Sequence, residues 1–296
     1  MPKKLLLVLL CAVLVVFACG CSDDTDNISS SQPIPDYPVT VANVTLESCP
    51  QRVVSLSPSI TSVINELGSS AQLAGVCNCS STDKELPRVG TADLPDITRI
   101  LNLNPDLILS NTTLPFDIAE RLQLEGIPVA VVEAAETLEE LDDYYLAIAK
   151  LVSGKHTGES NARLTFERFM GKIEKIKQDY PIIQGKKVCL ILASGVVATG
   201  DSLLGQFLEA AGFSNVAAGG TGYSMSYEDI AKQNPEYIFC PDFLKNEILG
   251  DKALGGTAAV AGGKVFAISV TDLEKQGQET YKALEQMAKL ISESAA

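Results

Sequence analysis

Ile100-Leu-Asn-Leu-Asn-Pro-Asp-Leu-Ile-Leu109 returns 130 residues later as Ile230-Ala-Lys-Gln-Asn-Pro-Glu-Tyr-Ile-Phe239. Ile100/Ile230, Asn104/Asn234, Pro105/Pro235 and Ile108/Ile238 are identical, and the acid and the apolar positions agree as well. Each copy reads as the end of a helix, a proline stop and then a buried strand. A single such junction is common. Two that agree position by position predict two halves of similar construction.

Outward from these copies the pattern continues. Val39 to Leu46 alternates as a short hairpin would. Arg52–Leu56, Leu73–Cys77, Asp106–Ser110 and Pro128–Val132 are apolar strand candidates, with helical stretches at 60–67, 95–103 and 115–125 between them. Uninterrupted apolar strands separated by helices indicate a parallel sheet covered on both faces. Residues 136–180 then carry almost no strand signal. Leu138, Leu141, Tyr145, Ile148 and Leu151 recur at helical spacing, Leu164, Phe166, Phe169, Ile173 and Ile176 follow, and Gly154 to Thr157 interrupts them. Strands resume at Val188–Ala193, Tyr237–Cys240 and Val265–Ser269, and a final helix occupies 278–293. The expected fold is α/β: two doubly wound lobes, 38–135 and 181–296, joined by a long rigid helical segment, 136–180, with a ligand cleft between them.

The bulk numbers fit a globular body. The chain has 296 residues, 46% of them hydrophobic and 20% charged, which excludes wholesale disorder. A net charge of −14 argues against nucleic acid, which needs a cationic face. One histidine excludes multi-histidine metal centres.

The first residues, MPKKLLLVLLCAVLVVFACGC, begin with Lys3 and Lys4 and an uncharged apolar run from Leu5 to Phe17. That run is shorter than the roughly 20 residues a spanning helix needs, so it reads as a secretory signal, residues 1–18. A small residue before a cysteine resembles the lipobox of bacterial lipoproteins. Cys19 is the expected acylated residue, and Cys21 offers an alternative register. Residues 19–37 are polar, with Ser and Pro and no apolar period, and read as a tether. Five further cysteines remain: Cys49, Cys77, Cys79, Cys189 and Cys240. An odd number cannot all pair internally. Cys189 and Cys240 sit in strand-like runs where core filling is expected, and a bridge between them stays open.

Catalytic motifs are sparse. His156 falls in a polar break between helices, no G-x-S-x-G elbow exists, and Gly219-Gly220-Thr221-Gly222 and Gly262-Gly263-Lys264 lack phosphate-loop spacing. No catalytic residue, resident cofactor or metal site is expected, and the chain is read as not an enzyme. Loops after the strands are where doubly wound sheets bind ligands. Ser57, Ser59, Asn78, Ser80, Asn111, Thr112 and Ser194 supply small polar groups there, and Tyr223, Met225 and Phe243 add apolar surface. These ten are the expected ligand-binding residues, although Ser, Asn and Thr also cap helices and turns.

Pro50-Gln-Arg-Val-Val-Ser-Leu-Ser-Pro58, Glu66-Leu-Gly68, Leu86-Pro-Arg-Val-Gly90, Asn104-Pro-Asp-Leu-Ile108 and Leu124-Glu-Gly-Ile-Pro-Val129 follow in order, with Val260 to Val265 before the last strand. Together they resemble the substrate-binding lipoproteins of bacterial ABC importers for cobalamin, ferric siderophores and haem. The resemblance implies two α/β lobes with little hinge motion that hold a corrinoid or ferric chelate without altering it. It also implies delivery to an ABC permease with its ATPase, an extracytoplasmic lipid-anchored location and a monomeric protein. In that family each lobe presents a Glu that docks on the permease. Glu228 matches in the second half, the offset of 130 lands on Thr98 in the first, and Asp96 is the nearest substitute. Readings from other classes are a surface hydrolase of a small polar substrate and a sensor or adhesion lipoprotein on the same scaffold.

Overall fold

The computed structural model describes residues 35–295, Lys84 excepted. The signal segment, Cys19 and Cys21 lie outside the described residues. The elements in chain order are β1 (Val39–Val41), β2 (Val44–Leu46), β3 (Val53–Ser55), α1 (Pro58–Glu66), β4 (Leu73–Val76), α2 (Ile97–Asn102), β5 (Leu107–Ser110), α3 (Phe116–Leu124) and β6 (Val129–Val131). Two long helices follow, α4 (Leu138–Ser153) and α5 (Lys155–Asp179). The second half contains β7 (Lys187–Ala193), β8 (Val196–Val197), α6 (Leu203–Ala211), β9 (Ser214–Asn215), α7 (Tyr227–Gln233) and β10 (Tyr237–Cys240). It ends with α8 (Lys245–Gly250), α9 (Ala258–Ala261), β11 (Val265–Ala267), α10 (Val270–Leu273) and α11 (Gln278–Ser294).

The first sheet is parallel in the order β4-β3-β5-β6. In the second, β9, β7, β10 and β11 lie side by side, also parallel, and β8 folds back on β7. The two orders correspond strand for strand, and the repeat explains why. Ile108 pairs with Val129, the first residue of β6, and Ile238 pairs with Val265, the first residue of β11. Asn104 (φ 45°) and Asn234 (φ 51°) both turn left-handed at a helix end, a conformation Asn tolerates, before proline starts the strand. The acid has a job too. Asp106 accepts from the N–H of Gln51 (2.6 Å) and of Arg52 (2.9 Å), and Glu236 accepts from Lys186 Nζ (2.9 Å), tying each strand to the start of its neighbour.

Thr137 caps α4 by accepting from Glu140 N–H, and Glu139 and Glu140 suit the positive end of the helix dipole. Gly154, at φ 87°, turns the chain back into α5. The break is confined to Gly154, so His156 and Thr157, expected in a polar interruption, stand in the first turn of α5. With 25 residues, α5 is about 37 Å long and runs between the two halves. Tyr145 of α4 stacks on Phe169 of α5 (6.0 Å), which meets Phe207 of α6 edge-on (5.9 Å). Val53 and Ile60 of the first half share one buried cluster with these rings and with Phe239 of the second. Opening the lobes by a hinge would split that core, so the spine is a brace.

Asp36 and Tyr37, read from sequence as the end of the tether, are instead bonded to the spine: Asp36 to the first turn of α5, and Tyr37 to the Leu151 carbonyl. Cys189 and Cys240 are buried free thiols on adjacent strands, where Cys189 faces Ile238. Burial pushes Cys189 up to about 12 and Cys240 up to about 11, so both are inert core fillers.

Candidate functional site

The groove lies at the carboxyl ends of the strands, where the loop after β6 meets the loops of the second sheet. It holds a cavity of about 490 Å³. Ala135 from the first half and Leu192, Leu204, Tyr223, Glu274 and Gln276 from the second are among its lining. A mostly apolar concavity with a few polar groups is the usual form of a small-molecule site.

Hydrogen bonds fix its floor. Gln276 Nε2 donates to the Ala135 carbonyl (2.6 Å), and Gln276 Oε1 accepts from Ala135 N–H (3.2 Å). Tyr145 donates its hydroxyl to the Gln276 carbonyl (3.1 Å), and Gln206 Oε1 accepts from Leu138 N–H (2.8 Å). These bonds join the two halves directly below the cavity. Tyr223 is held from behind. Thr199 Oγ1 accepts from Tyr223 N–H (3.1 Å) and donates to Asp201 (2.6 Å), whose other oxygen accepts from Gly222 N–H (2.9 Å). The Thr199 hydroxyl, together with the Gly222 amide, keeps Asp201 below the ordinary carboxylate range. Burial raises the Tyr223 phenol.

Of the ten expected binding residues, Tyr223 lines this cavity. Ser57 caps α1 by accepting from Ser59 N–H (3.2 Å) and Ile60 N–H (3.4 Å). Ser59 donates to the Glu274 carbonyl (3.2 Å), and Ser80 shares a hydrogen bond with Thr61 (2.8 Å). Asn78 accepts from Gly90 N–H (3.1 Å), Asn111 donates to the Tyr144 hydroxyl (3.1 Å), and Ser194 donates to Glu247 (2.9 Å). Met225 packs against the core on the far face of the second sheet. Thr112 and Phe243 are exposed beyond β5 and β10. The polar loops thus mostly build the walls, while apolar residues face the cavity. Gln276 and Glu274 were missed, because EKQGQE between two helices carries no motif.

Glu228 is exposed at the second position of α7, after the Ser226 cap. Thr98 holds the same position in α2, after the Asp96 cap. Asp96 is occupied in accepting from Arg99 N–H (3.0 Å). Among the described residues no group of His, Cys, Asp and Glu is arranged to hold a metal, and no helix is long and apolar enough to cross a membrane.

Residues 53–270 match the family model described as periplasmic binding protein, and the chain belongs to that family. It is 25% identical over 303 residues to an uncharacterized ABC transporter substrate-binding lipoprotein, YvrC, of Bacillus subtilis, covering 96% of this chain and 95% of the relative. It is 24% identical over 276 residues to a cobalamin-binding protein of Halobacterium salinarum, covering 87% of this chain and 74% of that protein. Among solved structures, the periplasmic haem-binding protein HutB of Vibrio cholerae superimposes with a TM-score of 0.67 at 22% identity, over 81% of this chain and 98% of that one. That likeness speaks for the shared two-lobed fold.

Proposed function

We propose that this protein is the substrate-binding component of an ABC importer, capturing a corrinoid or ferric chelate outside the cytoplasm and handing it intact to a permease. The observation that carries the reading is the cavity itself: an apolar recess between two lobes whose floor is fixed by Gln276 and Ala135, in a chain of the periplasmic binding family. Binding there needs no nucleophile. The cavity volume of about 490 Å³ suits part of a macrocycle, with the remainder lying in the open groove. The curated relatives, a substrate-binding lipoprotein and a cobalamin-binding protein, point the same way.

Anchoring through a lipid on Cys19, with Cys21 as the alternative, keeps the protein beside its permease, and it works as a monomer. Glu228, exposed in the first turn of α7, is the docking carboxylate of the second lobe, and Asp96 stands nearest to that role in the first. The chain lacks Trp, so its eight Tyr report binding by fluorescence. Titration with cyanocobalamin, haemin and ferric chelates should give saturable one-to-one binding of at least one. Recovery of a chemically altered ligand, or failure of every chelate to bind, refutes the reading.

A further inference from the structure

The cavity has an uneven charge. Glu274 is a carboxylate in an otherwise apolar or neutral lining, and no Lys or Arg lines it. Its side chain has no hydrogen-bond or ion-pair partner among the described residues, while its backbone carbonyl is engaged by Ser59. Partial burial alone raises its carboxyl. Tyr223, in the same lining, is raised first by burial and further by the negative charges of Glu136, Glu274 and Asp201.

Lys275, next to Glu274 in sequence, and Arg88, which holds the same Ser80–Ser81 loop that Lys275 touches, are committed elsewhere. Lys275 Nζ holds Asp272 at 2.6 Å and donates to Ser81 (3.1 Å), and Arg88 Nη1 donates to the carbonyls of Cys77 (3.1 Å) and Ser80 (2.6 Å). The whole chain adds a field of the same sign, with a net charge of −14.

We infer that Glu274 sets the ligand class of this cavity, favouring a chelate whose inserted edge is neutral or cationic and rich in hydrogen-bond donors, such as the amide-fringed rim of a corrinoid. Amide N–H groups satisfy an unpaired carboxylate with charge-assisted bonds. Haem brings two propionates and a ferric tris-catecholate brings net negative charge. Either would place like charges together in a low dielectric, where sites for such anions use Arg or Lys. This inference rests on the capture reading above and divides its ligand classes.

The test is equilibrium dialysis of the protein in 150 mM salt against cyanocobalamin, haemin and a ferric tris-catecholate, with native mass to fix stoichiometry. Cyanocobalamin should bind at least 10-fold tighter than either anion. Glu274→Gln should weaken cyanocobalamin about 3- to 10-fold, and Glu274→Lys should reverse the preference. Glu274→Gln should not lower the melting temperature, since the side chain holds nothing in place and its charged form is disfavoured by burial. Tighter binding of haemin or of the catecholate by the unaltered protein overturns the inference and leaves the capture reading standing. So does an unchanged affinity ratio in both variants. No binding of any probe overturns the capture reading itself.

Discussion

Asp36 caps a helix that begins about 120 residues later, through Thr157. Its carboxylate accepts from the Thr157 N–H (2.9 Å) and hydroxyl (2.6 Å) and from His156 N–H (2.7 Å), and its carbonyl accepts from Lys155 N–H (2.9 Å). Three of the unpaired amides at the start of α5 are satisfied in this way. The preceding Gly154 leaves no room for a side chain, because an added Cβ would collide with Asp36. The described chain therefore begins stapled to the spine. Nearby, Gln72, just ahead of β4, donates to the Val152 carbonyl (2.9 Å) near the end of α4, which puts the staple at the amino ends of the first sheet, away from the groove.

Asp36→Ala should lower the melting temperature at neutral pH, and the pH dependence has a definite sign. The Thr157 hydroxyl, followed by the amides, holds Asp36 below its ordinary 3.8. Its contribution is present above that value and is lost as acid protonates the folded state. The gap between variant and parent should therefore close below about pH 4. Gly154→Ala should cost about 1–3 kcal/mol, from its positive φ and the collision together. Thermal melts from pH 3 to pH 7 check both.

Glu66 carries the opposite sign. Burial pushes its carboxyl up to about 7, Glu279 adds to the rise, and Lys172 and the Gln278 amide oppose it. One carboxylate oxygen is buried without a hydrogen-bond partner among the described residues. A raised carboxyl favours the protonated folded state, so stability should fall as pH rises from about 4.5 to about 7. Glu66→Gln should flatten that slope and stabilise the protein at pH 8 by roughly 2–3 kcal/mol. It should give no gain at pH 4. Urea unfolding across this range decides it, and a variant less stable at pH 8 refutes the assignment.

Ser57 and Tyr223 should separate stability from binding. Ser57→Ala removes a helix cap and should cost about 0.5–2 kcal/mol while leaving ligand affinity within about twofold. Tyr223→Ala removes cavity lining and should weaken binding about 10-fold, a loss of roughly 1.4 kcal/mol, with a small effect on unfolding. Paired titration and denaturant curves measure both.

Thr98 and Glu228 stand at equivalent helix positions with different chemistry. In an uptake assay with the permease and ATPase, Glu228→Ala should leave ligand affinity intact but cut delivery several-fold. Thr98→Glu should raise delivery above that of the parent. Unchanged uptake in both variants would remove Glu228 from the docking role.

The framework was legible because its signals are local. Asn104-Pro105 and Asn234-Pro235 each encode a helix stop and a strand start within a few residues, and Ile108 and Ile238 mark the same rung of each sheet. The cavity was not legible. Ser57, Ser59 and Ser80 look alike in sequence whether they cap a helix or face a ligand, and only their partners tell them apart. Leu192 in β7 and Leu204 in α6 line the cavity, and an apolar pattern does not record that one wall of the core is open. The bonds of Gln276 to Ala135 span 141 residues and leave no trace in either segment.

The most direct test of capture between the lobes is a crystal structure of the protein grown with cyanocobalamin. Density for the intact ligand should lie in the groove, against Tyr223 and Leu204, with Gln276 still bonded to Ala135. A ligand seated elsewhere on the surface, or cleaved within the groove, would contradict the account.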